Sequence, residues 1–85
     1  MIHSLSGGVI AENGIYNFAK VRVEDTPCWY LAPRGVKAGD KVLVPFGKAN
    51  LPKEGIVERV ESCSSQTAPV PVSRAKEILG VIENP

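Results

Sequence analysis

The sequence has few of the residues that usually carry catalysis or bind metal. Among its 85 residues it holds one histidine, His3, and two cysteines, Cys28 and Cys63, without a paired ligand spacing. A serine or cysteine nucleophile needs a base, and a four-ligand zinc site needs more histidine and cysteine than this. Neither GxGxxG nor GxxxxGK[ST] occurs, so the common phosphate-binding loops are missing. We therefore expect a protein that is not an enzyme and needs no metal or cofactor.

Long hydrophobic runs are also missing. No stretch approaches the roughly 20 apolar residues of a membrane span. The N-terminal sequence MIHSLSGGVI lacks a basic region followed by an apolar run, as a secretory signal would need. We expect a cytoplasmic protein without a membrane partner. The two isolated cysteines are typical of reduced, partly buried thiols, although a disulfide between them stays open as an alternative.

Length and composition predict a single small domain over residues 1–85. The chain is 44% hydrophobic and 22% charged, which is ordinary for a folded protein and argues against disorder. A chain of this size buries only about 60–65% of its unfolded surface, so its stability margin is small. The 8 glycines and 7 prolines are spread along the chain, which indicates short elements joined by tight turns.

Alternating apolar and polar residues predict short strands separated by turn residues. The predicted strands are Ile15–Glu24, Cys28–Leu31, Lys41–Phe46, Gly55–Glu61 and Ile78–Ile82. Residues 47–54 are expected to form a long polar loop. Ser73 is a candidate cap for one helical turn through Glu77, and residues 77–82 fit a short helix equally well.

This pattern predicts an all-β fold: a small, mainly antiparallel barrel or an SH3-like bent sheet, with at most one short helix or helical turn near residues 73–78. Pro45 lacks an amide donor, so the end of its strand should lie at an edge, a bulge or an opening. Two alternatives remain for residues 1–14. They are either flexible, with at most a short strand around Leu5–Ala11, or form an extra hairpin turning at Asn13-Gly14.

Positive charge is concentrated in the middle of the chain. The net charge is only +1, which by itself does not imply a polyanionic partner. Residues 31–53, however, hold five basic residues against Asp40, a local balance of +4, whereas the rest of the chain has a balance of −3. The basic residues in this stretch are Arg34, Lys37, Lys41, Lys48 and Lys53. They are either phosphate ligands or an ordinary solvated surface.

Two adjacent aromatic residues, Trp29 and Tyr30, lie close in sequence to this charge. Because successive side chains on a strand point to opposite faces, at most one of the two rings belongs in the core. Phe46 shares a face with Val42 and Val44, and we expect it in the core. The outward ring of the Trp29-Tyr30 pair is a candidate stacking surface for a base, or simply a cover for the barrel rim.

The sequence YLAPRGVKAGDKVLVPFGK, followed by GIVERV and ending in AKEILGVIEN, resembles the N-terminal DNA-binding domain of the primosomal PriA helicases. The resemblance covers about residues 19–84, and its most specific part is VPFGK at residues 44–48. It implies a small β-rich fold that recognises the 3′ end of a DNA strand at a replication fork. In that case Gly47 and Lys48 would lie in the wall of the binding pocket.

The sequence departs from the family pattern where the family places an acid before the tyrosine. In the family this acid engages the terminal hydroxyl of the strand, but here Trp29 occupies the position. An indole can donate but cannot accept a hydrogen bond, so stacking on a terminal base is easier to explain than end recognition. The helicase motor is not found after this domain, and residues 1–18 are additional. We therefore expect a free-standing module.

The sequence thus predicts a non-catalytic nucleic-acid-binding module. Its expected partner is DNA, single-stranded or forked, with a strand-end or single-strand preference, and we expect a monomer or weak oligomer. The predicted nucleic-acid-binding residues are Trp29, Tyr30, Arg34, Lys37, Lys41, Gly47, Lys48 and Lys53. The alternative is a small protein-interaction adaptor that uses the same barrel without nucleic acid, and an RNA-associated barrel is a more distant alternative.

Overall fold

A computed structural model describes residues 2–4 and 14–82. The described residues form one six-stranded sheet with the strand order β1-β6-β4-β5-β2-β3 and a single short 3-10 turn, Val72–Arg74. The strands are β1 (Ile2–Ser4), β2 (Tyr16–Val23), β3 (Thr26–Leu31), β4 (Lys41–Phe46), β5 (Leu51–Cys63) and β6 (Gly80–Ile82). Every strand pair in this sheet is antiparallel. The predicted all-β class is confirmed.

The β2–β3 hairpin turns through two residues, Glu24 and Asp25, with φ of 49° and 65°. Positive φ at both central residues is the backbone conformation that joins two twisted strands directly. The sequence suggested that residues 25–27 interrupt the strand, yet β3 already begins at Thr26. Pro27 is tolerated there because β3 is the last strand of the sheet and needs hydrogen bonds on one side only.

The predicted loop over residues 47–54 is wrong in its length. The chain turns within residues 47–50, and β5 begins at Leu51, directly opposite Phe46. Gly47 and Asn50 have φ of 74° and 52°, which allows this short turn. Weak strand propensity at Pro52 and its neighbours suggested a loop, but pairing with β4 overrides that propensity. Lys53 consequently lies on a strand, opposite Val44.

Strand β5 is long because it belongs to two hairpins. It pairs with β4 along residues 51–56 and with β2 along residues 56–63. The register shifts between Lys20 and Val21, leaving Glu58 without an opposite residue on β2. This bulge lets two residues three positions apart, Val57 and Val60, both pack against the core. Ile56 faces outward and is 44% exposed.

The segment between the 3-10 turn and β6 joins the two sides of the sheet. The Leu31 amide donates to the Lys76 carbonyl at 2.8 Å, and the Ile78 amide donates to the Leu31 carbonyl at 3.1 Å. The next amide, from Leu79, donates to the Leu43 carbonyl at 2.8 Å. Residues 76–79, which we call the strap, therefore bridge edge strand β3 and strand β4. This connection bends the sheet towards closure, within the prediction of a small barrel or an SH3-like bent sheet.

The strap also decides between the two predictions for this part of the chain. Helical geometry is confined to the 3-10 turn, and the final strand begins at Gly80, two residues after the predicted start. Strand β6 pairs with β4 only at Val42 and Leu43. Pro45 therefore lies beyond the reach of β6, at an opening of the sheet, as its missing amide requires.

The core is built mainly from valine side chains of β2, β4 and β5, and Tyr30 on β3 and Ile78 on the strap complete it. Its fully buried members include Val21 and Val23 on β2, Val42 and Val44 on β4, and Val57 on β5. Phe46 was expected in the core, but it is half-buried, packs against the core from the pocket side and lines the pocket. As predicted, only one of the two adjacent aromatic rings lies in the core. Tyr30 is buried, at 3% exposure, whereas Trp29 is half-buried and lies on the other face of β3.

Gly55 allows β5 to approach β2 closely. A Cβ atom at this position would lie 2.5 Å from Val21 Cγ1 and 2.9 Å from both the Arg22 carbonyl oxygen and Val23 Cγ2. These distances leave no room for a side chain. At the N-terminus, β1 pairs with β6, with the backbone of His3 opposite Val81. The predicted strand at residues 5–11 and most of the alternative hairpin lie outside the described residues.

Candidate nucleic-acid interface

A pocket of about 420 Å³ opens between the edge of β3, the end of β4 and the chain around the 3-10 turn. Three of the eight predicted site residues, Trp29, Tyr30 and Gly47, line it. The complete lining consists of Cys28, Trp29, Tyr30, Phe46, Gly47, Val70, Pro71, Arg74, Ala75 and Lys76. The fold therefore brings two aromatic residues of β3 next to the VPFGK sequence.

Tyr30 forms part of the pocket wall as a fixed, neutral ring. Its hydroxyl donates a 2.9 Å hydrogen bond to the Pro45 carbonyl, which links β3 to the end of β4. Burial raises the pKa of Tyr30 to about 12, and interaction with Cys28 adds to this effect. The phenol is therefore protonated at neutral pH. Its ring belongs to the core, so Trp29 is the better stacking candidate of the two.

Gly47 connects the β4–β5 turn to the segment that carries the basic pocket residues. Its carbonyl accepts one hydrogen bond from the Asn50 amide at 3.2 Å and another from Lys76 Nζ at 2.9 Å. A Cβ atom at Gly47 would meet nothing within 4 Å, so the glycine is needed for its positive φ. The Lys76 contact holds two walls of the pocket together.

The backbone of Trp29 faces the open edge of β3. The amide and carbonyl of Leu31 both point away from β2, because they bond to the strap. In an antiparallel pair this direction alternates along the strand, so the amide and carbonyl of Trp29 also point away from β2. No described residue forms a backbone hydrogen bond with them. The pocket wall thus offers a donor and an acceptor side by side, and Pro27 offers only a carbonyl.

The charge of the pocket comes from residues that the sequence analysis did not select. Arg74 and Lys76 line it, and none of the described lining residues is acidic. Sequence reasoning missed both because they lie in a segment that looked irregular, about 30 residues from Gly47 in the chain. Two basic residues separated by one residue, next to a possible helical turn, do not form a recognisable nucleic-acid-binding motif. They reach the pocket because the strap holds this segment against β3.

Two of the predicted lysines lie in ion pairs instead. Lys41 Nζ is 3.3 Å from Glu54 Oε1, and Lys53 Nζ is 3.2 Å from Glu24 Oε1. Both acids lie outside the stretch of sequence whose balance is +4. Exposed pairs of this kind contribute little stability, but they offset the local positive charge. The β4–β5 hairpin is therefore less basic in three dimensions than it is in sequence.

The remaining predicted basic residues, Arg34, Lys37 and Lys48, are exposed and do not line the pocket. The backbone of Lys37 belongs to a turn, in which its amide donates to Asp40 Oδ2 at 3.0 Å. Lys48 follows Gly47 directly, so it lies next to the pocket wall. The structure therefore gathers Trp29, Tyr30 and Gly47 at one site, with Lys48 adjacent to it, and leaves the other four outside.

The described residues contain no group of three or more histidine, cysteine or acidic side chains suited to a metal ion. Cys28 and Cys63 are half-buried free thiols. Within the same part of the chain, no helix has the length and apolar character needed to cross a membrane.

Comparison of the chain with family models, curated proteins and solved structures finds no match in any of the three. The similarity to the PriA DNA-binding domain therefore stays a prediction that rests on the residues quoted above.

Proposed function

We propose that this protein is a non-catalytic, cytoplasmic module that binds single-stranded nucleic acid, with DNA as the favoured partner. An unpaired nucleotide would enter the pocket between β3 and the 3-10 turn. Its base would contact Trp29, and its phosphates would meet Arg74 and Lys76. This proposal keeps the pocket-lining residues expected from the sequence but moves the main phosphate contacts away from Lys41 and Lys53.

The observation that carries the proposal is the composition of the pocket. It combines an aromatic residue, an open backbone donor and acceptor at Trp29, and two cations without a lining acid. Nonspecific binders of single strands combine these elements, with aromatic rings for stacking and a positive groove for the backbone. The volume of about 420 Å³ lies within the range of pockets that bury small ligands.

A more specific question is whether the pocket recognises the 3′ end of a strand. Trp29 stands where the PriA family places an acid, and its indole nitrogen can only donate. We expect base stacking to dominate and a terminal hydroxyl to matter less. Strands ending in a 3′ hydroxyl and in a 3′ phosphate should then bind with similar affinity. A clear preference for the hydroxyl would show that the end is recognised by other groups.

The experiment that tests binding is a titration with single-stranded and forked DNA at low and moderate salt. Trp29 is the only tryptophan, so its fluorescence reports on the pocket directly. We expect binding that weakens with salt, because released counterions drive phosphate contacts. Arg74→Ala should weaken binding about tenfold, whereas the matched control Lys41→Ala should change it less than about twofold. Absence of binding at low salt by the folded protein would contradict the proposal.

The open edge of β3 also favours the second candidate, a protein-interaction adaptor. An extended peptide can add to such an edge through the backbone groups of Trp29. Pro27 shortens the available edge, which limits the number of hydrogen bonds a peptide gains. Phe18 on β2 is completely buried, so it is not accessible to a partner. Chemical-shift changes along β3 with a peptide, and none with DNA, would favour the adaptor.

A further inference from the structure

On the outer face of the sheet next to the pocket, Trp29 lies in a row with two basic residues, Lys20 and Arg59, of which Arg59 is paired with Glu61. Trp29 is paired with Lys20 across β3 and β2, and Lys20 is paired with Arg59 across β2 and β5. The neighbours Ala19, Tyr30 and Val60 belong to or pack against the core. Alternation therefore places Trp29, Lys20 and Arg59 in one row on the opposite, outward face.

Arg59 contacts the ring of Trp29 directly. Its guanidinium carbon lies 5.5 Å from the centroid of the indole, within the range of a cation–π interaction. Glu61, two residues along β5, pairs with this arginine, with Oε2 at 2.7 Å from Nε. The guanidinium therefore covers part of one face of the indole, and its own planar group is a second surface on which a base can stack. We call Trp29, Lys20 and Arg59 the outer platform.

The outer platform is continuous with the pocket because Trp29 belongs to both. The residue lines the pocket, and its ring lies under Arg59 on the outer face. A chain of nucleotides that leaves the pocket over the edge of β3 would therefore reach this surface without a gap. Lys20 has no ion pair among the described residues. The other basic residue on β2, Arg22, is paired with Glu58 at 3.0 Å.

We infer that the outer platform binds the next nucleotides of the same single strand, which extends the proposed site from one nucleotide to several. One base would stack on the outer side of the Arg59–Trp29 pair, and Lys20 would contact a phosphate. This inference rests on the proposed function, because the strand must first occupy the pocket. It assigns roles to Lys20 and Arg59, which lie outside the basic stretch of residues 31–53.

Oligonucleotide length separates this inference from the proposed function. A short strand of about 2 nucleotides occupies the pocket and its rim without crossing β2 to Lys20 and Arg59, whereas strands of about 8 also extend across the platform, which is within the site sizes of small single-strand-binding barrels. We expect the native protein to bind the longer strand about tenfold more tightly. The double variant Lys20→Ala/Arg59→Ala should lose this gain while keeping its affinity for the short strand.

Two further variants control for indirect effects. Arg59→Lys keeps the charge but loses the planar stacking surface, so it should lose about half of the length-dependent gain on a logarithmic scale. Lys41→Ala removes a paired lysine on β4, away from the pocket, and should leave the gain unchanged. Thermal unfolding of each variant shows whether the barrel remains intact.

The outcomes are distinct for the two proposals. Equal affinity of the native protein for short and long strands, with Arg74-dependent binding of both, overturns the platform and leaves the pocket supported. The same result follows if Lys20→Ala/Arg59→Ala retains the full gain. Failure of every strand to bind overturns the pocket and the platform together. The inference is supported if Lys20→Ala/Arg59→Ala loses the higher affinity for the longer strand and Lys41→Ala keeps it.

Discussion

Two regions of this protein contain closely spaced basic residues, and they differ in what surrounds them. In the β4–β5 hairpin, Lys41 and Lys53 face Glu54 and Glu24 across neighbouring strands or turns. Around the 3-10 turn, Arg74 and Lys76 line a pocket without a described acidic residue. The first region is conspicuous in the sequence and the second is not. Net charge within a stretch of sequence therefore does not give the charge of a surface, because strand pairing brings acids from elsewhere.

The two regions also have different structural roles. The hairpin provides the long strand β5, which approaches β2 so closely at Gly55 that a Cβ atom does not fit. The segment around the 3-10 turn has little regular structure and joins β3 to β4 through the strap. Variants in the two regions therefore test different properties, stability in the hairpin and binding in the pocket, and Gly47 belongs to both regions.

The largest effect is expected at Gly55. Gly55→Ala would place a methyl group 2.5 Å from Val21 Cγ1 and 2.9 Å from the Arg22 carbonyl oxygen. We expect a loss of about 3 kcal/mol in the free energy of unfolding, at the upper end for overpacking, because the neighbouring backbone must move. Urea denaturation measures this loss.

Gly47→Ala is the matched control for Gly55→Ala. Its methyl group would meet nothing within 4 Å, and only the φ of 74° opposes it. We expect this variant to lose about 1–2 kcal/mol, from the cost of the left-handed conformation. If Gly55→Ala proves no more destabilising than the control, the close approach of β5 and β2 does not limit stability.

The next effect depends on pH and concerns the pocket wall. Tyr30 has a pKa raised from 10.0 to about 12 in the folded protein, chiefly by burial. The neutral phenol is favoured by folding, so its contribution is complete below pH 10 and is lost as pH rises towards 12. Each unit of pKa difference between the folded and the unfolded protein corresponds to about 1.4 kcal/mol of unfolding free energy. Ionisation of Tyr30 should therefore lower the stability by up to about 3 kcal/mol at alkaline pH, and Tyr30→Phe should remove this loss.

Tyr16→Phe serves as the control, because it removes the only other tyrosine and leaves Tyr30 in place. Unfolding free energies between pH 9 and 12 should fall less steeply in Tyr30→Phe than in Tyr16→Phe. At neutral pH, Tyr30→Phe should lose only about 1 kcal/mol, for the hydrogen bond to Pro45. Identical pH profiles for the two variants would show that Tyr30 ionises with an ordinary pKa.

The sequence predicted the fold better than the site, for physical reasons. Alternation is a local signal, so it located the strands of the two hairpins and the inward faces of Val42 and Val44. Turn lengths were less accurate, because pairing with β4 extends β5 through Pro52 despite weak propensity. The pocket depends on contacts between residues far apart in the chain, such as Lys76 with Gly47 and Leu31. No local sequence pattern predicts such contacts, so Arg74 and Lys76 could not be identified as pocket residues from the sequence.

A smaller effect concerns the salt dependence of binding, which distinguishes a cation that contacts phosphate from one that does not. Each phosphate contact with a single strand contributes about 0.7 to the slope of log affinity against log salt. We expect Arg74→Ala to reduce the slope by about this amount. Fluorescence titrations of Trp29 at several salt concentrations measure it. An unchanged slope would remove Arg74 from the interface even if the affinity falls.

The smallest effect is expected for the ion pair between Lys41 and Glu54, whose side chains are 42% and 59% exposed. Solvent and salt screen such a pair, so Lys41→Ala should cost no more than about 0.5 kcal/mol of stability. The reciprocal variant Glu54→Gln is more informative, because it releases Lys41 from its partner without removing the lysine. If ion pairing is what keeps Lys41 from contributing to the interface, Glu54→Gln should increase DNA affinity about twofold at low salt. Lys41→Ala/Glu54→Gln should abolish that increase. A gain that persists in the double variant would instead reflect the removed negative charge alone.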